Sequence, residues 1–144
     1  LGAPVGSLLA GSKSFIVKAR KNRKLLGGGL RQSGILAAAG LIALEKMVER
    51  LAEDHYHARL LAEGLANIPG LTVNPDDFPT NMVILSLEKY PLTAAEFVNR
   101  LKTHGVLAGA LSDKAIRFVT HKDVNEKQIK EAIRIIAQVV KGLN

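Results

Sequence analysis

Residues Leu25–Leu44 read LLGGGLRQSGILAAAGLIAL. The segment joins three glycines, the cation of Arg31, a candidate helix cap at Ser33 and a run, Gly34 to Leu44, that is apolar all round. That run is too short to cross a bilayer and predicts a helix buried on every side, between domains or subunits. Gly34, Ala37, Ala38 and Gly40 would let another helix approach closely. The glycines admit two readings. In one, the N–H groups of Gly27, Gly28 and Gly29 turn toward an anion that the dipole of a helix starting near Ser33 also favours. In the other, Gly27 caps the preceding helix, the next two glycines make a tight turn and Arg31 is solvated. The nucleotide-hydrolase pattern GxxxxGK[ST] is absent, and the loop follows a basic helix rather than a strand.

Toward the start of the chain, Gly2, Pro4 and Gly6 ahead of Leu8 and Leu9 predict a turn leading into a short strand that Gly11 and Ser12 end. Ser14 to Leu26 predicts a helix with Phe15, Ile16, Ala19 and Leu26 on one side and cations around the rest. Beyond Leu44 the apolar positions become one-sided: Met47, Val48, Leu51, Ala58, Leu61, Ala62 and Leu65 face inward, and Glu45, Arg50, Glu53, Asp54 and Arg59 face outward. No proline interrupts Ser33 to Ala66, so one long bent helix or two in succession are expected, stopped by Pro69 and Gly70.

After Gly70 the period changes. Leu71–Val73 and Met82–Leu87 read as strands separated by a loop, Asn74–Thr80, with two prolines. Thr93-Ala-Ala-Glu96 forms a capping box, with Leu92 able to staple onto Phe97, and opens a helix that ends at Gly105. Val106–Leu111 and Ala115–Thr120 predict a strand pair about Ser112-Asp113-Lys114. Asn125 with Gln128 caps a last helix whose inner stripe is Ile129, Ala132, Ile133, Ile136, Val139, Val140 and Leu143. Residues 71 to 144 thus predict an α+β layer, with both helices on one face of a mainly antiparallel sheet.

The chain has 144 residues, the length of one domain, and its 47% hydrophobic content is ample for a core. Cysteine is absent, which removes disulfide and thiolate chemistry and fits a cytoplasmic location. No secretory signal is visible, and an opening on Leu1 rather than methionine points to an origin in a longer chain. The net charge of +7 sits in one segment, because Lys13, Lys18, Arg20, Lys21, Arg23, Lys24 and Arg31 precede the first acid, Glu45. Such a block reads as an anion-binding or nucleic-acid-binding surface, or as a solvated helix face. Phe15 is its only aromatic residue, so base stacking is poorly supported.

Among candidate functional residues, Arg117 lies within the strand AIRFVTH, on the face opposite Ile116 and Phe118. Its planar fork suits a carboxylate held by two parallel hydrogen bonds; a solvated arginine on the open side of a sheet is the alternative. His121 ends the same strand. His55 and His57 do not share a helix face and His104 sits near a helix end, so no metal site is proposed. The spacing shows no Ser-His-Asp set and no paired carboxylates.

The stretches LGAPVGSLLAG, RKNRKLLGGGLRQSGILAAAGLIAL, TNMVIL and IRFVTHKDV together closely resemble the C-terminal part of the low-specificity L-threonine aldolases. These are fold type I enzymes dependent on pyridoxal 5'-phosphate. The resemblance covers essentially the whole chain. It implies an α/β fold in which residues 1–44 end the large cofactor domain and begin a long linking helix, and residues 45–144 form the small C-terminal domain. It places the lysine of the Schiff base just upstream of Leu1, so that no catalytic residue falls within these residues and the segment alone is expected to be inactive and poorly soluble. It further implies that Arg117 holds the substrate carboxylate, that Arg31 reaches the cofactor phosphate of a neighbouring subunit, and that Lys24 lies at the active-site edge. The activity implied is retro-aldol cleavage of L-threonine or L-allo-threonine to glycine and acetaldehyde. The partners implied are an amino-acid substrate, the N-terminal remainder of the same protein and further copies of it in a homo-oligomer, a dimer of dimers; neither nucleic acid nor membrane is among them. Other fold type I lyases and aminotransferases, and a basic nucleic-acid-binding module, are the competing readings.

Overall fold

A computed structural model describes residues 1–77 and 79–143. The chain divides into two compact units, Leu1–Glu49 and Arg50–Asn144.

The first unit holds two helices, α1 (Lys13–Leu25) and α2 (Gly34–Lys46). Residues 1–12 form no strand: Leu8 and Leu9 are exposed and have no neighbouring strand to bond. Ser12, expected to end that strand, instead caps α1, its extended backbone letting Oγ accept the Phe15 N–H at 3.4 Å. Ser33 makes no such cap on α2. Its φ of −79° and ψ of −5° are already helical, and its side chain accepts no N–H from the first turn. Of α2 only Ala43 is buried, while Ile35, Leu41, Ile42 and Leu44 remain exposed, so the covering expected on every side of this helix is not supplied within the unit.

The second unit begins with α3 (Leu51–Ala66), which makes the helical reach two helices in succession; the turn between them, residues 47 to 50, contains neither glycine nor proline. Next come a 3₁₀ turn (Pro75–Asp77), β1 (Met82–Ser86), α4 (Ala94–Thr103), β2 (Gly109–Ala110), β3 (Ala115–Val119) and α5 (Glu126–Lys141). The three strands form an antiparallel sheet in the order β1-β3-β2, with Ile84 and Gly109 both opposite Arg117. Two expected strands are shorter than their sequence period. Leu71–Val73 contributes one bridge, Thr72 to Ser86, and the Leu71 N–H closes a turn on Ile68 O. Val106–Leu111 pairs with β3 at Gly109 and Ala110, with the Leu111 N–H donating to Ala115 O at 2.8 Å, while the Val106 N–H closes the end of α4 on Leu101 O.

Strand alternation sends Val83, Leu85, Ile116 and Phe118 to one face, where they are buried with Leu61 and Leu65 of α3, Phe97 and Leu101 of α4, and Ile129, Ile136 and Val140 of α5. The first helix of the unit therefore joins the two expected on that face. Gly64 lets α5 come close to α3: a Cβ there would lie 2.9 Å from Ile133 Cγ1. The opposite sheet face carries Met82, Ile84, Arg117 and Val119, all exposed. Asp54 departs from its expected outward position. It is buried, with Oδ2 accepting from Arg50 Nη1 at 3.0 Å.

Both capping boxes form. Thr93 Oγ1 accepts the Glu96 N–H at 3.3 Å, and the Glu96 carboxylate accepts the Thr93 N–H at 2.7 Å and its hydroxyl at 2.8 Å. These bonds hold the Glu96 carboxyl below its ordinary value of 4.5. A carboxyl lowered on folding contributes stability that is present above its unfolded value and lost as the pH falls through the folded one, so this cap is complete at neutral pH and opens only on acidification. Replacing Thr93 by alanine is expected to lower stability by about 1 kcal/mol, read as an earlier urea midpoint with an unchanged slope. A midpoint equal to the parent's would show that the box contributes nothing.

Candidate functional site

The glycine-rich turn ends α1 by a specific set of bonds. Gly27 has φ +79°, its N–H donates to Lys24 O at 3.2 Å, and the Gly28 N–H donates to Arg23 O at 2.8 Å. This pair, with a left-handed residue just past the helix, is the Schellman arrangement, which satisfies carbonyls the helix itself leaves unbonded. Of the two readings of the glycines, the helix-capping one therefore describes Gly27 and Gly28, whose N–H groups are already spent and cannot also cradle an anion. Gly29 differs, since a Cβ on it would lie 3.5 Å from Lys24 Nζ. The Lys24 ammonium is thus folded back over Gly29, two residues before Arg31 in the chain. Among the described residues, none of the seven cations from Lys13 to Arg31 takes part in an ion pair. Anion binding here would rest on side chains, the point charge of Lys24 and the planar fork of Arg31, rather than on a nest of backbone N–H groups.

In the second unit Arg117 is the middle residue of β3 and is exposed on the open face of the sheet. Ile84 flanks it on one neighbouring strand and Gly109, with no side chain, on the other. Among the described residues no carboxylate pairs with its guanidinium. An unpaired fork between an aliphatic neighbour and a gap is available to a carboxylate from outside the unit. His121, two residues beyond the strand, is half exposed, and its Nδ1 accepts the Asp123 N–H at 3.3 Å. The hydrogen bond from Lys122, with smaller help from His121, lowers the Asp123 carboxyl. His57, unlike His55, is buried, and its Nδ1 and Asp54 Oδ1 are buried atoms without a hydrogen-bond partner.

Sequence reasoning passed over the polar residues that tie down the ends of β3. Thr120 is 1% exposed, and its hydroxyl donates to the Asp54 carbonyl at 2.6 Å. At the other end Lys114 Nζ donates to the carbonyls of Tyr90 at 2.6 Å and Leu92 at 3.0 Å. The signal for Thr120 was present, because it shares the inward parity of Ile116 and Phe118.

Comparison with known proteins extends these observations. Low-specificity L-threonine aldolase 1 of Arabidopsis thaliana is 40% identical over 141 residues, covering 97% of this chain and 39% of the relative. The low specificity L-threonine aldolase of Escherichia coli strain K12 is 43% identical over 131 residues, 91% of this chain and 37% of the relative. The chain thus spans 39% and 37% of the length of these relatives. Among solved structures, a NifS-like protein superposes with a TM-score of 0.62 at 23% identity, over 80% of this chain and 35% of its own. A C-DES mutant with glycine covalently linked to its PLP cofactor gives a TM-score of 0.59 at 22% identity, over 73% of this chain and 28% of its own. At these identities the superpositions show a shared α/β fold and nothing beyond it. The family model described as Beta-eliminating lyase matches residues 1–88, taking in the capped glycine turn, Lys24, Arg31, the exposed apolar helix and the first strand of the sheet, and on that match the chain belongs to the beta-eliminating lyase family.

Proposed function

We propose that the protein carrying this chain cleaves L-threonine and L-allo-threonine to glycine and acetaldehyde with pyridoxal 5'-phosphate as cofactor. One observation carries this reading: the 40% identity to a low-specificity L-threonine aldolase extends over 97% of the chain. In this reading residues 1–44 end the cofactor domain and begin the linking helix, and residues 45–144 form the small C-terminal domain of a cytoplasmic homo-oligomer. The catalytic lysine belongs to the N-terminal remainder of the protein. Exposure of α2 along Ile35, Leu41, Ile42 and Leu44 supports a further body of protein over that helix.

The residues present suit the cofactor and the substrate in different ways. Arg31 and Lys24, both cationic and without an ion-pair partner among the described residues, would hold the cofactor phosphate, Arg31 that of a neighbouring subunit. Arg117 would take the substrate carboxylate in its fork, and two parallel hydrogen bonds would fix how the Cα substituents are turned. That orientation matters because the bond to be broken must lie where its electrons overlap the acceptor. When bound, pyridoxal phosphate supplies the electron sink for the carbanion left at Cα.

The intact protein, incubated with L-threonine, is expected to yield glycine and acetaldehyde in equal amounts; production of pyruvate or a keto acid instead would assign it to another fold type I reaction. Arg31→Ala in the intact protein is expected to raise the cofactor dissociation constant about tenfold to a hundredfold, the loss of a charge-assisted hydrogen bond to an anion. Equilibrium dialysis against the free cofactor measures it. An unchanged constant would return Arg31 to the solvent-facing role.

A further inference from the structure

The strand that carries Arg117 is pinned at both ends by polar side chains that bond to main-chain carbonyls of neighbouring elements. Three residues before Arg117, Lys114 reaches out of the strand start and places Nζ on the carbonyls of Tyr90 and Leu92, just ahead of α4, while Ala94 in the first turn of α4 donates its N–H to Asp113 O at 2.7 Å. Three residues after Arg117, the buried Thr120 hydroxyl donates to Asp54 O in the first turn of α3. Asn81 completes that end: the Thr120 N–H donates to Asn81 O at 2.9 Å, and Asn81 Nδ2 donates to Thr120 O at 2.7 Å, continuing the β1–β3 pairing beyond Met82 and Val119. Each pin stands about 10 Å from Arg117 along the strand.

The side chains beside Arg117 give it little lateral support. Gly109 offers no side chain, and Ile84 is itself exposed. Where the guanidinium sits is then determined by where the β3 backbone sits; the ladders to β1 and β2 fix that strand within the sheet, and its two ends anchor it to the segments that open α3 and α4. We propose that Thr120 and Lys114 are positioning residues for substrate-carboxylate binding, acting through the placement of β3 and of Arg117 at its centre. This rests on the reading of Arg117 as the carboxylate-binding group. The hydroxyl of Thr120 has a specific task, since valine has the same shape but would remove the side-chain donor that ties the end of β3 to the Asp54 carbonyl of α3. The end of β3, still paired to β1 through Asn81, would lose its tie to α3, and a misplacement of about 1 Å is enough to spoil a two-point contact.

The test uses the intact holoenzyme with two competitive ligands against L-threonine: glycine, which has a carboxylate, and 1-amino-2-propanol, which has none. Thr120→Val is expected to weaken inhibition by glycine about tenfold, the scale on which misplacing a positioning group acts, and to leave that by 1-amino-2-propanol within about twofold. Thr120→Ser, which keeps the hydroxyl, should restore glycine to within about twofold of the parent, and Lys114→Met should reproduce the selective loss from the other end of the strand. A purely structural role would lower the melting temperature and the active fraction while leaving both inhibition constants alone. Equal weakening of the two ligands, or parent-like glycine inhibition in the Val variant, overturns the inference. If the Val variant does not fold, Lys114→Met decides in its place by the same two constants. Arg117→Lys serves as the control. If it too leaves the discrimination between the ligands intact, the carboxylate reading of Arg117 itself fails, whereas a large effect of Arg117→Lys beside none from either pin removes only the positioning role.

Discussion

Arg117→Ala in the intact protein is expected to lower kcat/KM for L-threonine by about a hundredfold to a thousandfold, the usual consequence of removing one partner from a hydrogen-bonded charge pair that forms on binding. Arg117→Lys should recover only part of this, because an ammonium keeps the charge but cannot place two parallel donors on one carboxylate. The division between the constants carries the mechanism. If the arginine binds substrate and transition state alike, KM alone rises; if it also aligns the breaking bond, kcat falls as well. The absorbance of the bound cofactor in the resting enzyme should survive both substitutions, since no substrate carboxylate is present then. Parent kinetics in the lysine variant would make Arg117 an ordinary residue of the open sheet face, and loss of the resting band would make its role structural.

The parts of this chain that were legible in advance are those settled by chemistry within a few residues. The boxes at Thr93–Glu96 and Asn125–Gln128 close over one turn and form as read. So does the stop at Gly105, where φ is +82° and the N–H groups of Gly105 and Val106 close on Lys102 O and Leu101 O. Arg117 was placed opposite Ile116 and Phe118 by parity alone, and β3 shows it there because alternation has no dependence on distant residues.

What was not legible depends on turns that compete with ladders for the backbone. Val106 and Leu71 have strand-like side chains, but their N–H groups close on helix and turn carbonyls, and the backbone there follows the turn. The glycine triplet presents the same competition: an N–H that ends α1 cannot also face a ligand, and the requirement of the helix is met first at Gly27 and Gly28. Leu8 and Leu9 illustrate a different failure, because a strand exists only by virtue of a neighbour that local sequence does not name. The break between α2 and α3 carries no punctuating residue at all. Asp54 had the composition of an outward position, but the carbonyl it offers Thr120 and the carboxylate it offers Arg50 both draw it inward.

Phe97→Ala is expected to destabilise the folded chain by about 3–5 kcal/mol, the largest single effect among its core positions. The ring is 0% exposed and is the largest of the fully buried side chains. It lies in the first turn of α4, four residues beyond the Thr93 cap, in the same buried cluster as Leu85, Leu101 and Ile116. Removing it costs the transfer energy of the ring and leaves a space that a sheet face and a capped helix cannot close without breaking the bonds that hold them. Phe97→Leu should lose much less, because most of that volume is kept. Denaturant midpoints of the three proteins at equal slope measure the difference. A Phe97→Ala midpoint close to the parent's would mean that α4 is held by its cap and termini rather than by the core. The pinning of β3 to α4 through Lys114 would then have to survive without the packing beneath it.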